Sequence, residues 1–255
     1  MSELVKVSES DGVLEIIFAR PEKKNALSNE MYKAAREALE YAQNSKSVRA
    51  ILFGAEGEVF TAGNDLSDFQ QISDGAGTEP QAPLFIRTLG AAEKPIVAAV
   101  QGSAVGVGTT LLLHCDLVFI AETAKLSAPF VNLGLVPEAA SSRLMPDRIG
   151  HARAFAMFAL GESITGSEAF TYGLANKVLP AIDVLPSART TAKALAQKPI
   201  GALVATKSLM RDSESITARM DSEGVVFAER LRSEEAREAF AAFAERRAPD
   251  FSKFS

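Results

Sequence analysis

Apolar positions in the first half of the chain gather into short, dense runs, separated by stretches where they recur every third or fourth residue. Gly12 to Ala19 (GVLEIIFA) is rich in β-branched and apolar residues and closes at Arg20-Pro21, which predicts a strand. Ser28 then precedes a pattern placing Met31, Ala35, Ala38, Leu39 and Ala42 on one face, which predicts a helix capped by Ser28. Val48 to Ala55 (VRAILFGA) predicts the next strand. Pro95 to Val100, a helical stretch from near Gly106, and Leu117 to Ala121 (LVFIA) repeat the alternation. Strands separated by helices imply right-handed crossovers and a layered α/β core.

Between these rounds, Gln70 to Pro83 is polar and rich in Gly and Pro, and it reads as a surface loop of the kind that flanks binding sites. From Ser142 onward the pattern is mostly helical. Thr165-Gly166-Ser167-Glu168 fits a capping box, with Gly173 as the stop of a short helix. Ser233 to Arg247 reads as an amphipathic helix with Ala236, Phe240 and Phe243 on its apolar face. That face suits either subunit assembly or packing within the chain. No internal repeat or low-complexity tract interrupts the pattern.

Composition narrows the function classes. A net charge of −5 disfavours a sequence-independent nucleic-acid binder. The one cysteine, Cys115, excludes an intrachain disulfide framework, and its apolar neighbours suggest a buried, inert thiol. No apolar run reaches membrane-spanning length, so no membrane partner is expected. The early acids Glu3, Glu9 and Asp11 argue against a transit peptide, and the final Ser252-Lys253-Phe254-Ser255 is not a peroxisomal address, so a cytoplasmic location is expected.

His114 and His151 lie in different segments without metal-ligand spacing, so no metal site is expected. There is no G-x-S-x-G elbow, and the glycines of Gly102 to Gly108 (GSAVGVG) do not match the G-x-G-x-x-G dinucleotide fingerprint. Those glycines could serve only tight strand-to-helix packing. However, Phe60 to Leu66 (FTAGNDL) also places small residues and glycine just after a strand. Two such turns expose unpaired backbone N–H groups, and two N–H donors aimed at one oxygen make an oxyanion hole.

With "ARPEKKNALS" at Ala19 to Ser28, "FTAGNDL", "KPIVAAVQGSAVGVG" at Lys94 to Gly108, "CDLVFIAETAKLSAPF" at Cys115 to Phe130 and "LGLVPE" at Leu133 to Glu138, the sequence resembles the crotonase superfamily along nearly its whole length. The resemblance implies an α/β fold: a β-β-α spiral core with a helical C-terminal trimerisation region. It implies an acyl-CoA thioester whose carbonyl lies between two backbone N–H groups, which fall on Asn64, after Gly63, and on Val107, in the Gly106-Val107-Gly108 turn. Loss of one oxyanion donor costs ~2.7–4 kcal/mol of barrier in other enzymes. Family members commonly carry glycine where this chain has Val107, and the side chain is expected to restrict the backbone there.

Hydratases of the superfamily add water with two glutamates, and those positions fall on Thr110 and Phe130 here. Neither side chain shuttles a proton at neutral pH, and Phe130 would exclude water. Glu138 remains, where the Δ3,Δ2-enoyl-CoA isomerases keep their single catalytic glutamate. It admits two readings. One is an acid in the first turn of a helix, held by the helix dipole at ~0.3–1 kcal/mol. The other, which the resemblance favours, is a base whose apolar neighbours Leu133, Leu135 and Val136 raise its pKa.

By the same resemblance, CoA would be held along Lys24, Ala26 and Leu27 and along Ala62, Asp65 and Leu66, chiefly through backbone groups, with Lys23 and Lys24 able to supply charge for phosphate. Phe251 and Lys253 in the tail would reach CoA in a neighbouring subunit of a homotrimer or dimer of trimers. Asp116 is expected to be structural. No cofactor is expected beyond the CoA of the substrate itself. Residues 1–195 are expected to form the core with the acyl-CoA site and 196–255 the region for oligomerisation. Further pocket walls are expected from the Gln70 to Pro83 loop and from helices around Met145, Phe155 and Phe158.

Overall fold

The computed structural model describes residues 2–65 and 79–254. The chain opens with strands β1 (Val5–Ser10) and β2 (Val13–Phe18) and helix α1 (Asn29–Asn44). Strand β3 (Ala50–Ala55), helix α2 (Gln81–Gly90) and strand β4 (Ile96–Val100) follow. Then come β5 (Ala104–Val105), the short helix α3 (Val107–Leu111), β6 (Leu117–Ala121) and β7 (Lys125–Ser127). Helices α4 (Ser141–Ile149) and α5 (His151–Phe155) lead to β8 (Ile164–Thr165), α6 (Gly166–Thr171) and β9 (Lys177–Leu179). The chain finishes with α7 (Ala181–Ala196), α8 (Ile200–Met210), α9 (Ser213–Leu231) and α10 (Glu234–Ala244).

A six-stranded sheet runs in the order β1-β2-β3-β4-β6-β9, parallel except for the antiparallel β1–β2 pair. A smaller sheet joins β5, β7 and β8. Every residue of β4 and all but the last of β3 are buried, which explains their unbroken apolar runs: a parallel strand covered on both faces has no polar side to alternate with. Helix α1 begins as expected. The Ser28 side chain accepts the Met31 N–H, and Met31, Ala35, Ala38, Leu39 and Ala42 face the core. The Thr165–Glu168 capping box is complete, and Gly173 lies just beyond that helix with φ +83°.

The structure departs from the sequence reading in four places. Strand β1 was not signalled, because an edge strand of composition VKVSES is mostly exposed and carries little apolar pattern. Of the expected loop from Gln70 to Pro83, residues 70–78 lie outside the described residues, and residues 81–83 begin α2. β8 and β9 interrupt the mostly helical second half, and β9 extends the main sheet. On α10 the buried face is Ala236, Ala239 and Ala242, whereas Phe243 is 63% exposed. No described helix is long and apolar enough to cross a membrane.

Candidate active site

Three segments run side by side near the carboxyl ends of β2, β3 and β4. The Leu27 N–H donates to Gly63 O (2.7 Å), and the Asp65 N–H donates to Leu27 O (3.0 Å). The Thr61 N–H donates to Ser103 O (3.2 Å), and the Val105 N–H returns a bond to Thr61 O (3.1 Å). The two glycine turns picked out in the sequence therefore lie against each other. Gly63 has φ +89°, and a β-carbon there would lie 2.8 Å from Val105 O. A β-carbon on Gly108 would lie 2.3 Å from Thr61 Cγ2. These glycines are packing residues, and their close contact aligns the turns that carry the two N–H groups. In the Leu27–Asn64 bridge, the N–H of Asn64 faces away from its partner strand. Val107 opens α3, so its N–H is one of the unpaired donors of a helix start. Neither N–H has a backbone acceptor among the described residues.

Glu138 sits in a turn just before α4. Ala139 and Ala140, which follow it, have φ +60° and +55°. Two consecutive alanines in the left-handed region cost about 1–2 kcal/mol each, so other contacts must hold them. The His114 Nε2–H donates to Ala139 O (2.8 Å), while the Arg211 guanidinium donates to His114 Nδ1, which fixes the tautomer. Burial, then the Arg211 charge, pushes the His114 pKa down to about 3, so the ring is neutral. From α9, the Glu223 carboxylate accepts the N–H groups of Ala140 (2.6 Å) and Ser142 (2.9 Å).

The turn brings Glu138 to the wall of a cavity of about 780 Å³, with Leu27, Tyr32, Asn64 and Asp65 nearby in the lining. Among the described residues four carboxylates line it: Asp65, Glu138, Asp221 and Glu223. Asp65 pairs with Arg20 (2.6 Å), Asp221 with Arg87 (2.5 Å), and Glu223 holds its two backbone donors. Glu138 alone of the four keeps a buried oxygen, Oε1, with no hydrogen-bond partner among the described residues. Burial, and secondarily the Glu223 charge, raises its pKa from 4.5 to about 7. The helix-start N–H groups are held by Glu223, whose own pKa is also raised, because burial outweighs its bonds to Ser142 and Ala140.

Tyr32, on the cavity wall, donates its phenol O–H to Asn64 Oδ1. Burial and then Glu138 keep that phenol protonated by raising its pKa well above the usual value. The bond turns the oxygen end of the Asn64 amide toward α1. Sequence reasoning passed over Tyr32, although its place beside Met31 on the buried face of α1 was a usable signal for a polar-tipped aromatic aimed inward.

Residues 8–253 match the enoyl-CoA hydratase/isomerase family. The chain belongs to that family. The human protein enoyl-CoA delta isomerase 2 is 35% identical over 219 residues, which cover 83% of this chain and 55% of that protein. The chain thus spans about half the length of that isomerase. The 2,3-dehydroadipyl-CoA hydratase of Escherichia coli K12 is 32% identical over 98% of this chain and 99% of its own. The crystal structure of an enoyl-CoA hydratase/isomerase from Pseudoalteromonas atlantica superposes with a TM-score of 0.92 at 40% identity, over 98% of this chain and 100% of that one.

At the two positions that the resemblance matches to the hydratase glutamates, Thr110 is buried with its hydroxyl on Val107 O (3.3 Å), and Phe130 is buried against Phe158. Neither lines the cavity, so a water-excluding wall made by Phe130 is not seen. Val107 is 1% exposed and helical, and the unusual backbone angle (φ +57°) falls on Gly106.

Among the expected CoA contacts, Leu27 and Asp65 line the cavity, whereas Lys23 and Lys24 are exposed, and Ala26 and Ala62 are half-buried and outside its lining. The Ala62 N–H is taken by Lys24 O (2.9 Å), and Leu66 lies outside the described residues. Phe251 and Lys253 do not line this chain's cavity, and the Lys253 ammonium is paired with Glu238 (2.9 Å). Pro80, Ala82 and Pro83 contribute a wall as expected, but Met145, Phe155 and Phe158 do not. Their expected place is taken by Met220, Phe227 and Leu231 of α9, so the region after residue 195 takes part in the cavity. Asp116 is structural: it accepts the Ile96 N–H and pairs with Lys207.

Proposed function

We propose that this protein is a Δ3,Δ2-enoyl-CoA isomerase. The observation behind the proposal is Glu138, the one cavity carboxylate among the described residues with an unpartnered oxygen and a pKa of about 7, in a chain that carries Thr110 and Phe130 at the hydratase positions. The thioester carbonyl accepts the N–H groups of Asn64 and Val107. Glu138 takes the C2 proton of a 3-enoyl chain, and the electron pair delocalises into a dienolate whose oxygen stays under the two donors. The same carboxyl returns that proton at C4, leaving the double bond between C2 and C3. One tethered acid serves both transfers, and no water is consumed.

CoA runs along the backbone of Lys24, Ala26 and Leu27 and of Ala62, Gly63 and Asp65, with Gly106 beside the thioester; it is the only cofactor-like group needed. Assembly as a homotrimer or dimer of trimers, with Phe251 and Lys253 serving a neighbour, belongs to the same proposal. The test is conversion of a 3-enoyl-CoA to the conjugated 2-enoyl thioester, followed by absorbance. Glu138→Gln is expected to lower the rate by about 10²–10⁴-fold. No conversion by the native protein, or full activity in the variant, refutes the assignment.

A hydratase reading draws support from the full-length similarity to the E. coli hydratase. Incubation of a 2-enoyl-CoA in ¹⁸O-labelled water separates the two, because only hydration places label at C3.

A further inference from the structure

The turn that carries Glu138 is held from two directions, and the mechanism above uses neither contact. From the core, His114 donates to Ala139 O, and from the C-terminal helices Glu223 accepts from Ala140 and Ser142. The two glutamates are 85 positions apart, yet both line the same cavity. The structure assigns Glu223 as a positioning residue for Glu138: its two carboxylate oxygens hold the left-handed Ala139–Ala140 turn and so aim the Glu138 side chain into the cavity. The inference rests on the isomerase reading for its kinetic consequence only.

Three features support it. Glu223 is 7% exposed, and each of its oxygens takes one backbone N–H, a geometry that a neutral amide cannot reproduce because its NH₂ end would face a donor. Ala140 supplies no side-chain cap to α4, so no other described side chain takes up these two helix-start donors. Glu223 also places a like charge beside Glu138, the second cause, after burial, of that residue's raised pKa. Facing this pair are Tyr32 from α1 and neutral His114 from the core, with Arg219 on the flank of Glu223; Asp65, Arg87, Asp221 and Arg232 line the same cavity.

Two substitutions separate position from charge. Glu223→Gln removes the charge and one hydrogen bond, whereas Glu223→Asp keeps the charge on a side chain too short to reach both N–H groups. Amide exchange at Ala140 and Ser142 and the titration of the Glu138 carboxyl, both followed by NMR, need no assumption about the reaction. Exchange at both amides is expected to quicken tenfold or more in each variant. The Glu138 pKa is expected to fall in Gln and to stay near the native value in Asp.

In the isomerase assay, kcat is expected to drop about tenfold in both variants with KM within threefold, and the acid limb of the pH profile to move down in Gln alone. Native exchange at Ala140 and Ser142 in both variants, with kcat unchanged, overturns the assignment. If Gln does not fold, Asp alone decides it by the exchange rates. If the native protein shows no isomerase activity, the functional proposal fails while the exchange and titration results still judge Glu223.

Discussion

Replacing Glu138 by glutamine separates what a buried base costs the fold from what it does. The carboxyl has a pKa of 4.5 when exposed and about 7 in the folded chain. At about 1.4 kcal/mol per pH unit, that difference is worth about 3 kcal/mol of folding free energy. Its sign follows from which state holds the proton more tightly. The folded protein does, so this stability is fully present below pH 4.5, is lost as pH rises toward 7, and stays lost above. Glutamine does not titrate and escapes the loss.

Native protein and Glu138→Gln are therefore compared by urea or thermal unfolding from about pH 4 to about pH 8.5. A fixed offset, for instance about 1–3 kcal/mol from a buried amide without partners, appears at every pH and cancels in the comparison. The stability of the variant relative to native is expected to rise by about 3 kcal/mol across that range, equivalent to roughly 6–12 °C in Tm for a chain of this size. A difference between the two proteins that does not change with pH would show that Glu138 is not a strained, buried base, and the catalytic assignment would lose its physical ground.

Other substitutions test other parts of the site. Tyr32→Phe removes the donor to Asn64 Oδ1 while keeping the ring packed against Phe85, so isomerase kcat is expected to drop about tenfold and urea unfolding to show a loss of about 0.5–1.5 kcal/mol, that of one hydrogen bond. Gly108→Ala would set a methyl 2.3 Å from Thr61 Cγ2 and force the two turns apart, with an expected loss of about 1–3 kcal/mol in urea unfolding and a parallel fall in activity. Cys115 is buried, and burial pushes its thiol far up, so iodoacetamide is expected to leave it unmodified by mass spectrometry until the protein is unfolded.

The fold was legible wherever burial was complete or a cap was local. Dense apolar runs predicted β2, β3, β4 and β6 because those strands carry little or no solvent face, and Ser28 and Thr165 act within three residues of themselves. β1 escaped because half of an edge strand looks like surface, and Phe243 was misplaced because periodicity marks a face without saying what covers it. In the site, the two glycine turns and Glu138 were visible as short motifs. The structural roles of His114 and Glu223 were not, since each acts on a segment far along the chain: Glu223 meets Ala140 across 83 residues and His114 meets Ala139 across 25. No local pattern encodes a contact of that kind.

The same long-range contacts resolve the ambiguity of an acid placed just before a helix. A carboxylate there ordinarily binds the free N–H groups, and those bonds oppose the rise in pKa that burial brings, as they do for Glu223. In this chain Glu223 occupies the N–H groups of Ala140 and Ser142, so Glu138 is left without them and is pushed upward by burial and by the acid that displaced it. In the proposed reaction one glutamate takes the structural role and leaves the other to move the proton. That division requires α9 to lie across the cavity, so the C-terminal helices help to form the site.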